Sequence, residues 1–246
     1  MILKGVSGCS GFSYTPKYKQ SFIDFFKWIE ENDELGLIKY QDVQRSIEIA
    51  GGCSDSETRM IVPFMIKAGI INRANCQWRG SRLHKINTRN LFTKSGECFI
   101  QFLKIEVKCE EEIENDLAIS IIQNIYEKFA KIQFYHLFYS EEQIYKEMVK
   151  FLLNFRTMNK EEFFMLCTAM QDNTMADLDN VIMRYRNREF GSEDIEIAYN
   201  RNAYTYTSKL LIQYNLFEQR GRDIELNATY LPYFTALIDN VYEEEE

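Results

Sequence analysis

Proline and histidine are scarce in this chain. Of its 246 residues three are proline and two are histidine, and only eleven are glycine. So few turn formers disfavour a fold of many short strands. Two histidines, His84 and His136, are too few to suggest a catalytic triad. The six cysteines stand at 9, 53, 76, 98, 109 and 167, no two closer than eleven residues. No CxxC knuckle exists, so neither a zinc site nor a cofactor is expected, and the thiols read as reduced. Also lacking is any run of roughly 18 apolar residues. The opening Met1-Ile2-Leu3-Lys4-Gly5 forms no apolar signal region. A cytoplasmic location without a membrane partner is the expectation. Gly5, Gly8 and Gly11 lack the Gly-Lys-Ser/Thr ending of a phosphate-binding loop.

What is present favours helix. Hydrophobic residues make up 46% of the chain, enough for one large core or two modest ones. Phe22, Phe25, Phe26 and Ile29 predict a first amphipathic helix, with Ser21 as its cap. Val43, Ile47 and Ala50 predict a second, closed by Gly51 and Gly52. Ser54 and Glu57 read as a capping box opening a third, which Pro63 must bend or shorten and Gly69 ends. Ile70 and Ile71 read as a short strand. A basic stretch then turns at Gly80 and returns through Leu83 to Ile86, and Thr93 to Gly96 starts another helix that runs through Phe99, Phe102 and Leu103. Three helices followed by a basic hairpin is the winged-helix order.

The order recurs in the second half. Helices are expected around Tyr145–Leu153, after the cap Asn159, over Met175–Arg188 and over Ala203–Tyr214. Leu216 and Phe217 then lead to a turn at Arg220-Gly221-Arg222-Asp223, and a last helix holds Phe234 and Leu237. The expected fold is mainly α with small β-hairpins: tandem winged helix-turn-helix domains joined by a helical connector. Its parts are an N-terminal arm (1–20), a first domain (21–105), the connector (106–143) and a second domain with an acidic tail (144–246). Glu110, Glu111, Glu112, Glu114 and Asp116 read as a solvated start of the connector.

Charge is unevenly distributed. The net charge is −8, yet the segment Thr58 to Gly96 holds Arg59, Lys67, Arg73, Arg79, Arg82, Lys85, Arg89 and Lys94 with no acid. That segment is +8, which leaves −8 − 8 = −16 for the rest. A basic patch in an acidic chain is the footprint of a polyanion site. On the expected wing, Arg73, Arg79, Arg82, Lys85 and Arg89 are candidates for phosphate or minor-groove contact. Trp78 either packs against sugar or lies under the wing, and the second is the expectation. Arg59, early in the third helix, is placed for a base edge or a phosphate. In the second half Asn200, Arg201, Asn202, Tyr204 and Lys209 open the candidate reading helix, since Asn and Arg make bidentate base contacts. Arg184, Arg186, Arg188, Arg220 and Arg222 are further candidates.

The second half resembles a known family. Asn159 to Arg188, with Phe164-Met165-Leu166-Cys167 and Ile182-Met183-Arg184-Tyr185-Arg186-Asn187-Arg188, is similar to the AlwI-like type IIS restriction and nicking endonucleases. So is Tyr214-Asn215-Leu216-Phe217 followed by Arg220-Gly221-Arg222 and Ile224 to Asn227, with Asn215 where that family has glycine. Thr58-Arg59, Pro63, Gly69-Ile70, Thr93 and Gly96 match more loosely. The resemblance covers only the family's recognition region, and implies winged-helix subdomains that read a short asymmetric DNA site. The family's nuclease domain has no counterpart in these residues.

Glu106-Val107-Lys108 with Glu97 offers a nuclease-like set of acids and lysine. Phe99, Phe102, Leu103 and Val107 place it on a helix rather than on paired strands. The expected function is therefore sequence-specific recognition of double-stranded DNA in a restriction-modification or related defence system. The chain would have no nuclease centre, and a partner subunit or another domain would cut. The alternatives are an acidic protein-interaction or architectural subunit and a transcriptional regulator.

Overall fold

The structure, a computed structural model, describes residues 1–6, 14–80, 82–109, 116–141 and 143–244, with side chains through 239. The acidic cluster at 110–114 and the last glutamates lie outside the residues whose side chains are described. Ten α-helices and eight short strands are formed among them, so the chain is mainly helical with small sheets. No helix there is long and apolar enough to cross a membrane.

The chain divides into two units, Tyr14–Leu137 and Met1–Ser13 with Phe138–Glu246. The expected arm is therefore split. Ile2–Lys4 is a strand, β1, belonging to the second unit. The first helix, α1 (Pro16–Glu31), starts five residues before Ser21, because Thr15 accepts from the Tyr18 amide at 3.3 Å and Pro16 suits the first turn.

In the unit 14–137, α1 is followed by β2 (Leu37–Lys39), α2 (Tyr40–Ile49), α3 (Asp55–Lys67), β3 (Cys76–Arg79), β4 (Arg82–Asn87) and α4 (Lys94–Cys109). The three strands form one antiparallel sheet in the order β2-β4-β3. The Ser54–Glu57 capping box opens α3: the Glu57 amide donates to Ser54 Oγ at 3.3 Å, and the Ser54 amide donates to Glu57 Oε2 at 2.9 Å. Pro63 sits inside α3, which continues through Lys67, leaving the Arg59 carbonyl without its usual helical donor. Ile70 and Ile71 are not part of the hairpin. Ile71 makes a lone bridge to Phe92, and the hairpin's first strand begins at Cys76.

Gly69 ends α3 in a left-handed conformation (φ 69°), with the Ile70 amide donating to the Met65 carbonyl at 2.8 Å. A Cβ there would lie directly against the His136 ring. Gly69→Ala should lower stability by about 2 kcal/mol or more, combining left-handed strain with overpacking. Adding His136→Ala should return part of the loss in urea denaturation. Equal losses in the single and double variants would refute the contact.

The expected connector is not a spacer. α4 extends to Cys109, and α5 (Asp116–Phe138) is a packed helix of the same unit. Phe129 meets Phe99 at 5.3 Å and Phe102 at 5.8 Å, and Tyr14 Oη donates to Gln133 Oε1 at 2.8 Å. Burying this aromatic face joins α5 to the core of α1, α3 and α4.

The second unit repeats the plan with an insertion. Its elements are α6 (Ile144–Phe155), β5 (Thr157–Met158), α7 (Lys160–Asp172), α8 (Leu178–Arg186), β6 (Glu196–Tyr199), α9 (Ala203–Gln213), β7 (Phe217–Arg220), β8 (Asp223–Leu226) and α10 (Leu231–Glu244). Its sheet has the order β5-β8-β7, so here too the strand after the opening helix pairs with the last strand of the hairpin. The insertion is α8 with β6, and β6 pairs in parallel with β1, Leu3 opposite Ile197. Asn159, the expected cap, opens α7 and forms a capping box with Glu162.

Candidate nucleic-acid interface

The β3–β4 hairpin presents the basic residues. Gly80 takes a left-handed turn (φ 61°), and Arg79 stands opposite Arg82 across it. One sheet face is turned inward by Cys76, Ile38 and Ile86. Strand alternation therefore puts their neighbours Gln77, Lys39 and Lys85 on the other face. Lys85 lies between Lys39 and Gln77 in register.

Two like-charge pairs, Arg79–Arg82 and Lys39–Lys85, thus face each other across adjacent strands, an arrangement that is destabilising by itself. Among the described residues none of the four makes an ion pair, although the chain as a whole is acidic. Trp78 is 37% exposed beside Arg79, rather than covered by the wing as expected. Lys39 escaped sequence reasoning because it lies outside the Thr58–Gly96 window and joins the cluster only through strand pairing.

The remaining cations of this unit are placed differently. Arg59 is exposed on α3 and bound to Asp55, one turn earlier, at 2.7 Å. Arg73 is exposed in the 3-10 turn that leads into β3. Arg89, two residues beyond β4, donates to the Glu34 carbonyl at 3.3 Å. Glu97, Glu106 and Lys108 lie along α4, and Glu106 Oε1 is 2.9 Å from Lys19 Nζ with both side chains largely buried. No group of three potential metal-binding side chains is found among the described residues.

In the second unit most expected contact residues are already engaged. Arg186 is not available as the expected contact residue, because its guanidinium is committed to Glu162, whose side chain is 3% exposed. Nε lies 2.6 Å from Oε1, and further N–H groups donate to the carbonyls of Phe155 and Thr157 at 3.1 and 2.6 Å. Arg184 pairs with Glu189 at 2.7 Å and Arg220 with Glu225 at 3.1 Å. Arg188 (φ 61°) lines an open cleft of about 550 Å³ together with Glu189, Glu193 and Asp194.

Asn200 Nδ2 donates to the Val6 carbonyl at 3.1 Å and Arg201 Nε to the Ile197 carbonyl at 2.8 Å, so both brace the backbone. Asn202 is exposed at the start of α9 and Lys209 is exposed along it; Arg222 is exposed at the hairpin tip. Neither Lys209 nor Arg222 makes an ion pair among the described residues.

Tyr204 is half-buried, its ring 5.5 Å from that of Phe163, and its hydroxyl donates to the Arg222 carbonyl at 3.4 Å. Burial, with Asp223 and nearby glutamates, pushes its phenol up to about 12. A raised phenol stabilises the fold only while the unfolded tyrosine is also protonated. That contribution should be lost as pH rises from about 10 towards 12. Tyr204→Phe should remove part of the alkaline loss seen in urea titrations between pH 9 and 11. An unchanged pH slope would exclude this group as its source.

Among the described residues the β3–β4 ribbon carries cations without ion pairs, and the β7–β8 hairpin has Arg220 paired with Glu225. No family model, curated protein or solved structure was found to match this chain.

Proposed function

We propose that this protein is a sequence-specific reader of double-stranded DNA built from two winged-helix units, with the 14–137 unit as the main contact. The observation that carries the proposal is the pair of like-charge rows, Arg79–Arg82 and Lys39–Lys85, on one small sheet, with no ion pair to any of the four among the described residues. A row of phosphates relieves that repulsion, and arginines on a ribbon suit a backbone or a narrow minor groove. The element order α1-β2-α2-α3-β3-β4-α4 supports the winged-helix reading, with α3 as the groove helix and its exposed Arg59 and Met60 turned outward. The same sheet order in the second unit supports a second reading element in α9, carrying Asn202 and Lys209.

The resemblance to the recognition region of AlwI-like endonucleases leads us to place this activity in a restriction or related defence setting, with cutting left to a partner or another domain. An acidic interaction module is the second reading. It is favoured in the second unit, where Arg184, Arg186 and Arg220 are bound to carboxylates.

Selection from a randomised duplex library, followed by anisotropy titration at several salt concentrations, tests the proposal. A preferred site and a log–log salt slope of several units are expected. No enriched sequence together with a flat slope would refute it.

A further inference from the structure

Helix α5 carries an exposed apolar seam that plays no part in the proposed DNA contact. Ile121, Ile125 and Ile132 are 50%, 37% and 41% exposed. Single surface isoleucines are ordinary, but several along one line of one helix mark a contact surface. Their spacing specifies the kind of contact. Ala118, Ile121, Ile125, Lys128, Ile132 and Tyr135 follow steps of three, four, three, four and three residues. These are the a and d positions of a coiled coil. Ala130, Gln133, Phe134 and Leu137 are buried, and Gln133 accepts from the Tyr14 hydroxyl of the same unit. One helix thus has a face spent on its core and another patterned for a second helix.

We propose that α5 pairs, antiparallel, with α5 of a second copy of this chain. Parallel pairing would set Lys128 against Lys128 at the middle of the seam. Antiparallel pairing opposes a positions to d positions. Ile121 of one copy then meets Ile132 of the other, Ala118 meets Tyr135, and Lys128 crosses Ile125. All three pairings hold in a single register, so the surface is complementary to itself. The Lys128 stem covers Ile125 while its ammonium reaches water, and the small Ala118 leaves room for the Tyr135 ring.

Six side chains that are each partly open offer on the order of 500 Å² per copy, or about 1,000 Å² for the pair. That is the lower limit for a specific interface, and it implies reversible association in the micromolar range.

Sedimentation equilibrium of the whole chain without DNA, from about 1 to 200 µM, should show a monomer–dimer equilibrium. Ile121→Lys alone and Ile132→Glu alone should each weaken it by about tenfold or more, with unchanged circular dichroism because both sites are exposed. An equimolar mixture of the two variants should recover association, since the new lysine of one copy then faces the new glutamate of the other. Lys128→Leu, which removes no buried contact, should tighten the dimer. A wild-type chain that stays monomeric throughout overturns the proposal, as does a dimer indifferent to these substitutions. A mixture no tighter than its separate variants overturns the antiparallel register.

Discussion

Duplex binding should fall by about two orders of magnitude when Arg79 and Arg82 are both changed to glutamate. The two guanidiniums face each other across the Gly80 turn and make no ion pair among the described residues. Their partner in the bound state is therefore expected to be phosphate. Removing one cation from a phosphate lowers the salt slope by about one unit, so the double variant should bind with a slope about two units shallower.

Stability should change little, because the reversal introduces no buried charge and removes one cross-strand repulsion only by creating another. Adding Lys39→Glu and Lys85→Glu should extend the loss. Arg59→Ala is expected to act differently: a base-edge contact on α3 would relax specificity at one position while leaving the salt slope nearly intact. Wild-type affinity in the Arg79/Arg82 double variant, measured by anisotropy at low salt, would remove the β3–β4 hairpin from the proposed interface. Retention of a protein partner by a variant that no longer binds DNA would favour the interaction-module reading.

The second large effect is on stability and comes from Arg186. Breaking a largely buried ion pair by removing one partner costs about 3–5 kcal/mol, because the other charge stays behind without compensation. Arg186→Ala leaves Glu162 in that position, and also strips donors from the Phe155 and Thr157 carbonyls and a cation from the Phe155 ring, 5.2 Å away. These bonds tie the end of α6, β5, the start of α7 and α8 together, so the loss should appear in the second unit.

Arg186→Lys should rescue little. One ammonium cannot reproduce the planar fork that meets both Glu162 oxygens and two carbonyls. Guanidinium denaturation of wild type and both variants measures this, and a loss under about 1 kcal/mol for Arg186→Ala would show that the clamp is not structural. In a folded sample the duplex affinity proposed for the β3–β4 hairpin should be untouched, which separates this residue from Arg79 and Arg82.

Arg186 also shows the limit of reading charge by type. In sequence it stands among Arg184 and Arg188 and looks like part of a basic helix. Glu162, its partner, is 24 residues away and in sequence is only an acid three residues after the cap Asn159. It does serve the cap, with Oε2 accepting from the Asn159 amide at 3.0 Å, and the same carboxylate then recruits Arg186. Lys39 is the opposite case. It lies outside the basic window and is unremarkable until β2 pairs with β4.

The local order of this protein is legible from neighbouring residues alone. Helical periodicity placed α2, α3, α6, α7 and α9, side-chain caps opened α3 and α7, and glycine turns located both hairpins, because all of these depend on residues within a few positions of one another. Tertiary structure decided what periodicity cannot carry. It placed β1 beside β6 nearly two hundred residues away, made the expected connector a core helix through the Phe99–Phe129 contact, and sorted equally basic residues into paired and unpaired. The reason is physical: an apolar face, a strand edge or a charge fixes what it needs, while the burial and register that supply it depend on groups far away in the chain.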